Sequence, residues 1–323
     1  MERGPPNMTV TPPEHRINDS HNSTDYNENE DPLIRLNFYD WRNLLSLFIA
    51  LLGLIGNGAV LWLLGFRIRR NPFSIYILNL AVADAIFLCF SFLITIDTLF
   101  RSIFEYLTGI MLLFLRFIFY TAGLSLLAAI STERCLSVLF PIWYRCRRPK
   151  HTSAAVCAGL WALAGVFGLL SLVFGDCFYL NLFTFITIQG SWFLLVTFVM
   201  GVSSLTLLLR VQCGSQRRRL PRFYLLILLT VLVFLFCGLP WGIWAVLYFW
   251  FNIFLIPYWL CDLLACVNSS VNPLIYFFIG RLGNRKREPL RVVLQRAFGD
   301  EQELGSGTTN IPHASSPETT LGA

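Results

Sequence analysis

Arg116, Glu133 and Arg134 interrupt one long apolar stretch, Gly109 to Val138. In a helix rising about 1.5 Å per residue, Arg116 and Arg134 stand roughly 27 Å apart, close to the thickness of a bilayer's hydrocarbon core. A charge at the centre of a membrane helix costs about 2.5 to 3.5 kcal/mol on insertion scales, so charges near both ends of one span need partners or a task. Familiar catalytic chemistry does not supply that task. All four His, at positions His15, His21, His151 and His313, lie outside the apolar stretches, which excludes a His-dependent intramembrane hydrolase. The two Lys, Lys150 and Lys286, fall in polar segments, so no Schiff-base lysine is available for a retinal chromophore. Nothing in the residue pattern calls for a metal or a cofactor, and no enzyme activity is expected.

The elements that must position these charges follow from composition. A hydrophobic share of 55% and a mean hydropathy of +0.61 over 323 residues far exceed those of ordinary globular domains. The chain is therefore read as an all-α integral membrane protein. Its net charge of +6 would suggest nucleic acid in a soluble protein, but here the charges are sorted by side. Most Lys and Arg fall in Arg67 to Arg70, Arg145 to Lys150, Arg210 to Arg222 and Arg281 to Arg296, after alternate apolar stretches. The positive-inside rule puts these segments in the cytoplasm. In residues 1–40 carboxylates outnumber Arg, and that tail is expected outside.

Seven apolar stretches, each long enough to span as a helix, run at about Leu44 to Phe66, Phe73 to Ile96, Gly109 to Val138, Ala154 to Phe174, Phe183 to Leu209, Phe223 to Trp250 and Phe254 to Ile279. The expected organisation is an extracellular tail over 1–40, a seven-helix bundle over 41–280, a short amphipathic helix on the inner leaflet over 281–298 and a disordered cytoplasmic tail over 299–323. The amphipathic helix rests on Leu290, Val293, Leu294 and Ala297 at helical spacing, with Arg285, Lys286, Arg287, Arg291 and Arg296 on the other face. Asn7, Asn18 and Asn22 begin Asn-x-Ser/Thr acceptors in the tail assigned outside, and are candidate glycosylation sites.

Polar residues inside the spans must face the bundle interior, because hydrocarbon offers them no hydrogen bonds. Asn57, Asn79, Asp84, Asn268 and Asn272 form such a set, with Asn268 and Asn272 on one helix face. They can be a structural knot, or a network that rearranges between two packings, or a site for a proton or cation at Asp84. Pro240 and Pro273 each free backbone carbonyls and predict kinks in the sixth and seventh helices.

In this order and in seven spans, the residues resemble the rhodopsin-like G-protein-coupled receptors. The resemblance runs through Gly56-Asn57, Leu80-Ala81-Val82-Ala83-Asp84, Glu133-Arg134-Cys135, Trp161, Pro240 and Asn272-Pro273-x-x-Tyr276. The stretches Asn71 to Leu80, Ile130 to Trp143 and Cys237-Gly238-Leu239-Pro240 are similar to the Mas-related subfamily in particular. Departures accompany the matches. Gly109 stands about where most relatives have the Cys of an outer disulfide, which leaves a free thiol at Cys177 as the expectation. Gly123 replaces a Ser common beside the buried Asp, and Gly238 replaces a Trp that usually floors a deep pocket. A shallower site and a different activation contact are implied.

The resemblance implies a plasma-membrane receptor for an extracellular peptide or small molecule, partnered by a heterotrimeric G protein of the Gq class and by arrestin. It implies that Glu133 holds Arg134 until the sixth helix swings outward, and that Pro240, Asn272, Pro273 and Tyr276 take part in the switch. At the ligand end the candidates are Asp97, Arg116, Asp176, Trp241, Trp244 and Asp262. Two readings stay open there. The acids and Arg116 take charged ligand groups against aromatic walls, or Arg116 pairs with Asp97 or Asp262 to hold helices together. The alternative class is a transporter or channel using Asp84, against which stand the odd span count and the lack of an internal repeat.

Overall fold

The computed structural model describes residues 38–67, 71–100, 106–177, 179–213, 222–281 and 292. The acceptors Asn7, Asn18 and Asn22, the 299–323 tail and all but Arg281 and Val292 of the expected amphipathic helix lie outside the described residues. Those described form helices and short connections, with no strand among them.

Helix α1 (Phe38–Trp62) runs on into a π-helical turn, Leu63–Arg67. Helix α2 (Pro72–Leu99) starts at a reciprocal cap: the Ser74 amide donates to Asn71 Oδ1 at 2.6 Å, and the Asn71 amide donates to Ser74 Oγ at 2.8 Å. These bonds satisfy donors that a helix start leaves without partners, and Pro72 occupies the first turn, where its missing N–H costs nothing. Helix α3 (Tyr106–Leu139) is the long central one, followed at once by the short α4 (Pro141–Cys146). Helices α5 (Thr152–Cys177) and α6 (Tyr179–Cys213) follow. The next span is broken into α7 (Arg222–Val233), a π-helical turn at Phe234–Gly238 and α8 (Leu239–Phe251), and α9 (Tyr258–Arg281) closes the bundle. Seven helices are long and apolar enough to cross a membrane, as the hydropathy pattern predicts.

Two details differ from that pattern. The last span starts at Tyr258 rather than Phe254: Asn252 caps α8 in the left-handed conformation at φ 53°, and Pro257 immediately precedes the new helix. Apolar composition carries across Ile253 to Ile256, but the reversal keeps these residues out of α9. The short helix α4 was not expected either, because six residues are too few for a hydropathy window to register.

Helix α3 is the axis of the bundle, packing against α2, α5 and α6, while α1 packs on α2 and α9. Close approach depends on small residues, as is usual where no hydrophobic force draws helices together within lipid. A Cβ at Gly242 on α8 would run into the Phe193 ring of α6, whereas one at Gly201 would meet nothing within 4 Å. Phe193 is itself buried, so it has little room to yield. Gly242→Ala is therefore expected to lower the stability of the purified receptor by about 1 to 3 kcal/mol. Gly201→Ala should leave it unchanged or raise it by up to about 1 kcal/mol through helix propensity. Thermal unfolding of both variants checks the contrast, and equal midpoints would count against the packing.

Candidate functional site

Hydrocarbon forces polar side chains to find partners within the bundle, and they do so in three layers along α3. In the middle layer the Asn272 amide donates to Asp84 Oδ2 at 2.8 Å, joining α9 to α2. Asn57 donates to the carbonyls of Gly53 at 2.9 Å and Ser269 at 3.1 Å, joining α1 to α9. Asp84, Asn57, Asn268 and Asn272 are each at most 3% exposed, as the polar pattern predicts. Gly123 faces this layer, and a Cβ there would stand 3.4 Å from Asp84 Oδ1. Asn79 lies nearby in sequence but belongs to another contact, accepting from Trp161 Nε1 at 3.0 Å and tying α2 to α5. Pro273 is carried inside α9 within this polar region, and Tyr276 one turn later is buried.

At one end of α3, Glu133 is gathered into a cluster. Arg148, just after α4, forms an ion pair with its carboxylate, Tyr144 of α4 donates to Oε1 at 3.1 Å, and Tyr76 of α2 reaches Oε2 at 3.5 Å. The Arg148 guanidinium also donates to Ser153 Oγ at 2.6 Å, at the start of α5. Arg134 is 2% exposed, and its guanidinium carbon lies 3.6 Å from the centroid of the Phe73 ring. Glu133 thus fastens α4 and its following turn to α3, while Phe73 covers Arg134 in a cation–π contact. The roles of Arg148, Tyr144 and Tyr76 had no signal in the sequence, since Tyr76 lies on α2 and the other two on α4 and the turn after it, both apart from α3.

Toward the other end, Arg116 of α3 forms an ion pair with Asp262 of α9, which decides between its two expected partners. The guanidinium carbon also lies 5.2 Å from the centroid of Phe87 on α2. Beside it opens a cavity of about 170 Å³ whose walls include Phe87, Arg116, Phe117, Tyr120, Trp241 and Tyr258. Trp241 packs edge-on to Tyr120 at 5.4 Å and tilted to Phe117 at 6.1 Å. Trp244 does not line the cavity but supports it, packing against Tyr258 at 4.9 Å and stacking on Tyr248 at 5.3 Å. Tyr120 and Tyr258 were missed in the sequence. Each is four residues from a charged candidate, Arg116 and Asp262 respectively, and so shares its helix face.

The remaining two acids are not drawn into this wall. Asp97 is ten residues beyond Phe87, about 15 Å farther along α2, and is absent from the described lining. Asp176 lies in the last turn of α5, and its side chain is outside the described residues. The same holds for the side chain of Cys177. Cys261 on α9 is a free and buried thiol pointing at the Pro240 carbonyl 3.6 Å away.

Between the cavity and the middle layer lies the break in the α7–α8 span. A Cβ at Gly238 would come within 2.8 Å of the Phe234 ring, so the residue that replaces the usual Trp has no space for a side chain. Instead the Tyr120 hydroxyl donates to the Gly238 carbonyl at 3.1 Å. The aromatic contact between α3 and this span is made one turn away, by Trp241. A π-helical turn is a weak point in a helix and often a functional one, and here Tyr120, which lines the cavity, is bonded directly to it.

Comparison with known proteins agrees with this arrangement. The family model for the 7 transmembrane receptor (rhodopsin family) matches residues 56–276. The chain is 49% identical over 283 residues to Mas-related G-protein coupled receptor member X2 of Rhinopithecus bieti, covering 81% of this chain and 84% of that relative. It is 48% identical over 282 residues to the Homo sapiens protein of that description, covering 80% and 83%. With the Hoolock hoolock protein of that description the identity is 46% over 303 residues, covering 84% and 87%. A seven-helix bundle, buried Glu133 and Arg134 side by side in sequence, and family and relative matches over most of the chain place it in the rhodopsin family of seven-transmembrane receptors, among the Mas-related G-protein coupled receptors.

Proposed function

We propose that this chain is a plasma-membrane receptor, its N-terminus extracellular and its C-terminus cytoplasmic, that takes an extracellular peptide or small molecule beside Arg116 and activates a heterotrimeric G protein of the Gq class. Glycans on Asn7, Asn18 and Asn22 and recruitment of arrestin belong to the same reading. Trp241, Trp244 and the Arg116–Asp262 pair form or support the ligand site, and Asp97 and Asp176 serve the outer part of a larger ligand.

The observation that carries this reading is the continuity of α3. One face of it lines the cavity through Arg116, Phe117 and Tyr120, the Tyr120 hydroxyl reaches the break at Gly238, and the same helix carries buried Arg134 near its other end. At 2% exposure Arg134 is covered, which supports reading this packing as the resting one. A ligand that favours another packing shifts the population in proportion to its differential affinity for the two. Loosening Tyr120 from Gly238 lets α8 and α7 move, and Pro240, Asn272, Pro273 and Tyr276 accommodate the change.

Two substitutions test this reading. Arg134→Ala is expected to abolish calcium release evoked by an agonist drawn from a panel of peptides and small molecules, at unchanged surface expression. Undiminished release would remove Arg134 from the mechanism. Tyr120→Phe keeps the ring but loses a hydrogen bond of about 1 kcal/mol, which corresponds to about a fivefold shift between packings. Ligand-independent inositol phosphate production should rise by several-fold, and an unchanged basal level at equal expression would show that the Gly238 link does not hold the resting state.

A further inference from the structure

The cavity beside Arg116 has a charge balance that restricts what enters it. Its described walls carry one charged residue, Arg116, and five aromatic rings. Rings alone would suit a cation, but Arg116 stands among them with its side chain 9% exposed. Its counter-charge, Asp262 on α9, is absent from the described lining. A ligand cation in the cavity would meet the guanidinium before it met the carboxylate. If it displaced Arg116 from Asp262, it would leave a buried guanidinium without its ion-pair partner, the costly way to break a buried pair. A ligand anion would approach Arg116 favourably, yet Asp262 already compensates that charge, and the site would then hold one net buried negative charge. An uncharged group avoids both costs.

Size narrows the class further. At about 170 Å³ the space is comparable to engineered protein cavities of about 150 Å³ that accept benzene. The ion pair is made by one nitrogen of Arg116 and one oxygen of Asp262, Nη2 to Oδ1. A guanidinium carries five N–H donors, so Arg116 can serve a further acceptor while keeping Asp262.

We infer that the cavity takes an uncharged single-ring group bearing a hydrogen-bond acceptor, which the Arg116 guanidinium donates to, and that it discriminates against cations. This rests on the cavity being the ligand site, as proposed above. In a peptide ligand, the group seated here is a neutral aromatic side chain or amide, and any basic residues stay outside the cavity.

Benzamide, benzylamine and benzoate test the charge rule with one ring each and a neutral, cationic or anionic tip. Their binding to full-length receptor in lipid nanodiscs is read by saturation-transfer NMR, with Ala265→Phe as the cavity-filling control. Benzamide should bind at least tenfold more tightly than either charged probe, and Ala265→Phe should remove its signal. Arg116→Leu should invert the order, because Asp262 then lacks its cation and takes the ammonium of benzylamine. Thermal unfolding shows whether that variant is folded; if it is not, the wild-type order decides alone. Benzylamine or benzoate binding as tightly as benzamide, in a manner sensitive to Ala265→Phe, overturns the charge rule and leaves the site in place. Failure of Ala265→Phe to reduce the binding of any probe overturns the site itself, and the inference with it.

Discussion

The pairing of Arg116 with Asp262 is the constraint from which the rest of the upper bundle follows. A guanidinium in hydrocarbon has neither water nor a tolerable neutral form, so its helix must be turned to face a carboxylate. That carboxylate lies on α9, which fixes the rotation of α3 and α9 against each other. With Arg116 so placed, Tyr120 one turn along the same face meets the π-helical turn at Gly238 and Trp241 of α8, and Tyr258 on the facing helix meets the cavity. Attraction and desolvation nearly cancel in such a pair. Its contribution is therefore better understood as orientation than as net stability.

Orientation at one end matters because α3 is continuous while the helix it touches is not. The α7–α8 span contains a π-helical turn followed by Pro240, so its two halves are joined at a weak point. Tyr120 and Cys261 approach carbonyls on either side of Pro240's start, from α3 and α9 respectively. A change in cavity contents alters contacts at that joint without having to bend a regular helix. At the other end Glu133 is committed to α2, α4 and the turn carrying Arg148. The connection between α3 and α5 thereby becomes part of the structure that accompanies Arg134.

Much of this architecture was legible in the residues because lipid imposes two strict rules. Apolar length marks the spans, and intramembrane polar residues mark interior faces, so the seven helices and the Asn57, Asp84, Asn268 and Asn272 layer could be read in advance. Partner choice could not. Asp97 and Asp262 lie on different helices, and hydropathy carries no information about helix rotation. The π-helical turn left no signature, since it changes hydrogen-bond register without changing residue type. The cavity walls were hidden for a different reason: Phe87, Phe117 and Tyr120 look like every other aromatic in a chain holding 29 Phe and 11 Tyr. The clasp on Glu133 joins residues from three segments, so no local spacing could reveal it.

Whether Arg116 and Asp262 act as one mutually neutralising unit is measurable by a double-mutant cycle on thermal unfolding of the purified receptor. Asp262→Leu leaves the buried Arg116 guanidinium uncompensated and is expected to cost about 3 to 5 kcal/mol, while Arg116→Met leaves the partly exposed Asp262 carboxylate and is expected to cost less, about 1 to 3 kcal/mol. Together they remove both charges and leave apolar groups of similar size, so the double variant should lie within about 1 kcal/mol of the wild type. A double variant whose loss equals the sum of the two singles would show that the residues act independently, and would contradict the account.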